Sequence, residues 1–147
     1  MLQDGQYFKV SELACHDGPG GSPGTPYPEA FADRLPELMS LLDKCRVAIV
    51  VPCQVISGYR TPAYNAELAN KSAAHQVASG SYHVQGQAAD IRPAGKTVAE
   101  LHAAIMELYL DDKLPELGGI GFYPKSGWVH VDTGHAPGGH LRRWNGT

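Results

Sequence analysis

The chain reads as one globular domain of mixed helix and strand, and three observations carry that reading. Two segments, Phe31 to Cys45 and Leu101 to Tyr109, repeat apolar residues at three- and four-residue intervals, as amphipathic helices do. Short apolar or alternating runs such as Gln54-Val55-Ile56 and Trp128-Val129-His130-Val131-Asp132 stand between turn residues, as strands do. The 17 Gly and 11 Pro among 147 residues point to a loop-rich fold rather than a helical bundle. A chain of this length fits a single domain spanning 1–147.

In chain order, Tyr7-Phe8-Lys9-Val10 is a strand-like start and Ser11 to Ala14 a helical turn. His16 to Pro28 holds four glycines and four prolines, so the first thirty residues are mostly loop. The helix from Phe31 shows the stripe Leu35, Leu38, Leu42, Cys45, with Asp33 as its cap and Pro36 near its start. Val47 to Val51 reads as a buried β-branched strand and Gln54 to Ile56 as a second. Thr61 caps a helix with Pro62 in its first position, and Arg60 stands at that junction, placed to aim a guanidinium into a cleft. Lys71 to Gly80, which contains His75, is a small polar loop. Thr97-Val98-Ala99-Glu100 is a capping box. Gly118 to Tyr123 is a glycine-led strand, Pro124 to Gly127 a turn, and Trp128 to Asp132 the returning strand. Alternation puts Trp128, His130 and Asp132 on one of its faces.

The stretch richest in chemistry is Ser81 to Ile91. A two-residue turn at Gly86-Gln87 makes a hairpin in which His83 opposes Asp90, their Cβ atoms about 4.5–5.5 Å apart. Taken alone, such a pair fits either a polar hairpin closed by a His–Asp hydrogen bond or two ligands of a metal ion.

Composition narrows the function. A net charge of −3 argues against a nucleic-acid partner, which needs a basic face. No run of 18 apolar residues is present, so no membrane span is expected. No basic segment followed by an apolar core opens the chain, so no signal peptide is visible; a mature chain, or cytoplasmic synthesis with phage-type release, is expected. Cys15, Cys45 and Cys53 match no zinc-finger spacing and read as small buried hydrophobes.

Three blocks occur together: Ser57-Gly58-Tyr59-Arg60, Ser81-x-His83-x-x-Gly86-x-Ala88-x-Asp90, and Gly127-Trp128-Val129-His130-Val131-Asp132. With Gly118-Gly119-Ile120-Gly121, Tyr123-Pro124 and Arg143-Trp144, they resemble the zinc D-Ala-D-Ala carboxypeptidase family of bacterial and phage peptidoglycan peptidases, in its short branch. The resemblance runs from about Phe8 to Trp144. It implies a single α+β domain, an antiparallel sheet flanked by helices, related to the hedgehog fold. It implies one Zn²⁺ held by His83, Asp90 and His130 with water in the fourth position, and Arg60 facing the substrate with Ser81 beside it. The implied activity is hydrolysis of a peptide bond in peptidoglycan stems or cross-links, as a D,D-carboxypeptidase or endopeptidase acting at the cell wall or periplasm, and a monomer is expected.

One departure stands out. The best-known members of the family the chain resembles carry a Glu or Asp three residues before the last histidine ligand as general base, and here that position is Gly127. Asp132, on the face of His130, is therefore expected to be the base, with orientation of a ligand as its other role. His135 and His140 lie in a glycine-rich tail with the reach to close over the site, and each is expected to be solvent-exposed rather than catalytic. The missing acid keeps a second class open, a zinc-binding module without catalysis that holds wall peptides or a protein partner. A third is a phage structural domain in which zinc only holds loops.

Overall fold

The computed structural model describes residues 1–71, 80–135 and 138–147. The expectations for the loop that contains His75 fall largely outside them. Helix α1 (Leu35–Ile49) leads to β1 (Cys53–Ser57), α2 (Pro62–Lys71), β2 (Ala88–Pro93), α3 (Val98–Leu110), β3 (Gly119–Tyr123), β4 (Trp128–Asp132) and β5 (Arg142–Asn145). The five strands form one sheet in the order β1-β2-β4-β3-β5. Neighbours are antiparallel except β3 and β5, which run parallel, so the sheet is mixed rather than purely antiparallel.

Paired residues on neighbouring strands share a face, and the register sorts the chemistry. Val55, Ile91, Val129, Val131 and Ile120 belong to one buried core with Leu38, Leu41 and Leu42 of α1 and Leu101 and Ile105 of α3. Helix α3 lies over β2, β3 and β4 and packs on α1. The opposite face carries a polar row, with Ser57 against Asp90, Asp90 against His130, His130 against Gly121 and Gly121 against Trp144. Beside it runs a second row of Ala88, Asp132, Gly119 and Arg142.

Local chemistry explains the helix entrances. Thr97 Oγ1 accepts from Glu100 N at 3.0 Å while Glu100 Oε2 accepts from Thr97 N at 2.6 Å, a reciprocal cap. Thr61 Oγ1 accepts from Tyr64 N at 3.1 Å, with Pro62 in the first helical position. Asp33 does not cap α1: the position before the helix is Arg34, which makes no side-chain cap bond.

Three expected strands or turns differ. Val47 to Val51 is not a strand, because α1 continues through Ile49 and stops at Val50 in a left-handed conformation, φ 68°. The helical stripe keeps its phase to bury Ile49 and leaves Val47 and Val50 exposed, so burial overrides β-branched propensity. The strand expected at Tyr7 to Val10 does not form, and the helical turn expected at Ser11 to Ala14 is a 3-10 turn, Val10–Leu13, with Glu12 Oε2 accepting from Lys9 N at 2.7 Å. The hairpin at Gly86-Gln87 is absent. Residues 81–87 form consecutive tight turns, Val84 N to Ser81 O, Gln85 N to Tyr82 O and Gly86 N to His83 O, while β2 pairs with β1 and β4. Gly86 is required by its φ of 70° and by space, since a Cβ there would sit 2.6 Å from the Phe31 ring. Tyr27 donates to its carbonyl at 2.7 Å, pinning the turn from below.

Candidate metal centre

Asp90 on β2 and His130 on β4 are direct cross-strand partners, and the turn preceding β2 folds His83 over them. All three are buried. His130 Nδ1 lies 3.2 Å from His83 Nε2 and 3.1 Å from Asp90 Oδ1, and His83 Nε2 lies 3.3 Å from Asp90 Oδ1. Tetrahedral zinc with bonds of about 2.0–2.1 Å has ligand–ligand edges of about 3.3 Å. The triangle therefore has the size of one face of a zinc tetrahedron.

The far nitrogen of each ring shows which nitrogen carries the lone pair. His83 Nδ1 is 2.7 Å from the carbonyl of Gly58, which only accepts, so Nδ1 donates and Nε2 is left as acceptor. His130 Nε2 is 2.7 Å from Asp132 Oδ2, so Nε2 donates and Nδ1 faces the triangle. Two lone pairs and a carboxylate oxygen then converge, an arrangement that requires a shared cation. Without a metal the cation is a proton. Burial works against charging His130, but the hydrogen bonds to Asp132 and Asp90 outweigh it and raise its pKa to about 9. Burial dominates at His83 and lowers its pKa. Burial also opposes the Asp90 carboxylate, yet the two histidines hold its pKa far below the usual range. Among the described residues this is the group of His, Cys, Asp or Glu side chains that can hold a metal ion.

Arg60 sits behind Asp90. Its Nη2 donates to Asp90 Oδ2 at 3.3 Å, Nη1 to Asn65 Oδ1 at 3.3 Å and Nε to Ser57 Oγ at 3.0 Å. Three of the five guanidinium N–H donors are thus engaged among the described residues. Ser81 Oγ accepts from His83 N at 3.2 Å. Both line a cleft of about 480 Å³ whose floor is the His–Asp–His triangle.

Asp132 lines the cleft and is fully buried. Its Oδ2 accepts from His130 Nε2, and Oδ1 accepts from Gly134 N at 3.0 Å and from Arg142 Nη2, so three of its roughly four acceptor sites are engaged. Gly127, where the family acid would stand, is a turn residue with φ 95° whose carbonyl accepts from Arg92 Nε at 2.8 Å. His135 faces Glu37 of α1, Nε2 to Oε1 3.8 Å, and His140 is exposed; neither lines the cleft.

Sequence reasoning missed Arg142 and Tyr82, and gave Trp144 a place in a motif but no role at the site. Arg142 spans the space between the Tyr82 ring, 4.6 Å from its centre, and the Trp144 ring, 5.8 Å away. The available signal was the glycine spacing of β3. A Cβ at Gly119 would lie 2.5 Å from Arg142 Nη2, and one at Gly121 would lie 2.5 Å from Trp144 Nε1. Those glycines let two large side chains lie flat across β3 to reach the site.

A mixed sheet with α1 and α3 on one face and a buried His–Asp–His triangle on the other defines a chain of the hedgehog/DD-peptidase fold class. The family model described as peptidoglycan L,D-endopeptidase MepK matches residues 30–144, and the chain belongs to that family, a branch of the M15 zinc peptidases. It is similar to the peptidoglycan L,D-endopeptidase MepK of Escherichia coli (strain K12), 40% identical over 85 residues, 58% of this chain and 42% of the relative. It is also similar to a protein of Haemophilus influenzae named as a probable peptidoglycan L,D-endopeptidase MepK, 37% identical over 93 residues, 63% of this chain and 42% of the relative. The alignments thus span less than half the length of these relatives. No solved structure matches significantly.

Proposed function

We propose that the chain is a zinc-dependent peptidoglycan L,D-endopeptidase that acts at the cell wall on stem-peptide cross-links. The observation that carries this reading is the 3.1–3.3 Å triangle of His83 Nε2, Asp90 Oδ1 and His130 Nδ1, each ring anchored through its other nitrogen. When bound, one Zn²⁺ supplies a Lewis acid that polarises a carbonyl and acidifies water at neutral pH. Of the two activities the resemblance implied, D,D-carboxypeptidase or endopeptidase, the names of the family and its relatives favour an endopeptidase, and an L,D one. No helix among the described residues is long and apolar enough to cross a membrane.

The chain's own residues have separable roles. His83, Asp90 and His130 hold the metal. Asp132 fixes the ring orientation and proton position of His130, the positioning role that stood beside the role of base in the sequence reading. Arg142 donates to the other oxygen of Asp132 and fixes the carboxylate from that side. Arg60 clamps Asp90 so that Oδ1 turns to the metal, and its two remaining N–H donors serve substrate with Ser81 at the cleft wall.

The second reading, a zinc-binding module without catalysis, rests on a specific observation. Asp90 and Asp132 are the carboxylates lining the cleft among the described residues, and both are engaged. Mass spectrometry of muropeptides after incubation with the zinc-loaded protein separates the two. Cleavage between an L-centre and a D-centre supports the proposal. Release of terminal D-Ala instead points to the carboxypeptidase, and intact substrate to the binding module.

A further inference from the structure

The hydrolytic reading leaves open which group of this chain stabilises the charge that develops on the peptide oxygen. Arg60 is largely committed to Ser57, Asn65 and Asp90. Tyr123 stands differently. It ends β3 on the site face, across from Trp128, whose ring centre is 5.8 Å from its own. It is nearly buried and lines the same cleft as the His–Asp–His triangle.

Its hydroxyl is held by a dedicated partner. Trp144 Nε1 donates to Tyr123 Oη at 2.8 Å. The Trp144 ring in turn lies 5.1 Å from the His130 ring, centre to centre, which places this pair beside the metal ligands. Gly121 exists at that point because a Cβ would meet the indole nitrogen at 2.5 Å. An indole N–H is a donor only, so it occupies a phenol lone pair and leaves the phenol's own proton to be given elsewhere. Among the described residues no acceptor takes that proton. A buried donor that no described residue accepts from, lining a reaction cleft, is suited to an acceptor that arrives with substrate.

We propose that Tyr123 is a catalytic hydrogen-bond donor, its hydroxyl donating to the scissile carbonyl oxygen as that oxygen becomes the oxyanion of the tetrahedral intermediate. The inference rests on the endopeptidase reading. Water oxygen bonds to the carbonyl carbon and the C=O π pair moves onto oxygen. On collapse that pair returns, the C–N bond breaks and the amine leaves with a proton from water. Tyr123 keeps its own proton throughout. Burial and the Asp90 charge raise the phenol pKa, which suits a group that donates and is never ionised.

The test compares wild type, Tyr123→Phe and the double variant Tyr123→Phe/Trp144→Phe. The double variant leaves no orphaned indole N–H, so a folding defect from that source is removed. For each, turnover of a purified L,D-cross-linked muropeptide dimer is measured with the inhibition constant of a phosphinate analogue, which is tetrahedral and anionic at the reacting centre. Zinc content and Tm accompany both. The expected result is a kcat about 10²–10³-fold lower in both variants, the loss typical of one oxyanion donor. KM stays within about twofold, zinc stays stoichiometric, and phosphinate affinity falls in parallel with kcat/KM. Turnover within about threefold of wild type overturns the inference, as does lost turnover with unchanged phosphinate affinity. Failure of the parent reading looks different: wild type itself then cleaves nothing.

Discussion

Replacing Asp132 by Asn separates orientation from base catalysis. The carboxylate accepts from three donors: His130 Nε2 on one oxygen, Gly134 N and Arg142 Nη2 on the other. An amide has one acceptor oxygen. Turned toward Gly134 and Arg142, it presents NH₂ to His130 and drives the imidazole proton onto Nδ1, the atom that faces the metal. Turned the other way, it sets NH₂ against an arginine. Either arrangement weakens the centre, and loss of such a partner typically costs 10–100-fold in metal affinity, about 1.4–2.8 kcal/mol. Lost charge-assisted bonds cost a further few kcal/mol of fold stability at most, about 1.5–3 per bond before allowance for the partial exposure of Arg142. Competition with a chromophoric chelator measures the affinity, and kcat is then taken at saturating zinc. The orientation account predicts weaker zinc with kcat restored to within about threefold of wild type. Normal zinc affinity with kcat lowered by at least about 10² at saturation would mark Asp132 as the base and refute it.

Three further outcomes follow from the same geometry. Arg60→Lys cannot bridge Ser57, Asn65 and Asp90 together; zinc affinity is expected to fall about tenfold and kcat/KM by more, measured by chelator competition and steady-state kinetics. The metal-free protein is expected to lose Tm as pH rises from about 6.5 toward 9. The folded-state pKa of His130 is raised to about 9, so the stability it contributes is complete below the unfolded value and disappears through the folded one; a flat or rising Tm across that window contradicts the assignment. Gly86→Ala forces a left-handed residue and a Cβ 2.6 Å from Phe31, and is expected to cost at least about 1–2 kcal/mol in urea unfolding.

Much of the site was legible because it is written in short-range pattern. Alternation along Trp128 to Asp132 placed His130 and Asp132 on one face, and both lie there. The convergence of His83 with Asp90 was also visible, although through the wrong geometry. A local hairpin competes with two long-range ladders, and β2 spends its backbone donors and acceptors on β1 and β4. What spacing could not reveal was the far side of each ligand. Gly58 O behind His83, and Arg142 behind Asp132, reach the site from other loops and strands. The parallel pairing of β5 was equally hidden, since four residues after a glycine-rich loop carry little strand pattern. Val47 to Val51 misled because β-branched residues read as strand, whereas the buried stripe of α1 decides by phase.

The His83–Asp90–His130 triangle is proposed above as a catalytic zinc centre for peptidoglycan cross-links. Zinc titrated into metal-free protein, with cleavage of a purified L,D-cross-linked muropeptide dimer followed at each addition, tests it directly. The account predicts cleavage that rises linearly with bound zinc and breaks at one equivalent per chain. Full occupancy at one equivalent with no cleavage, or equal cleavage without zinc, would contradict it.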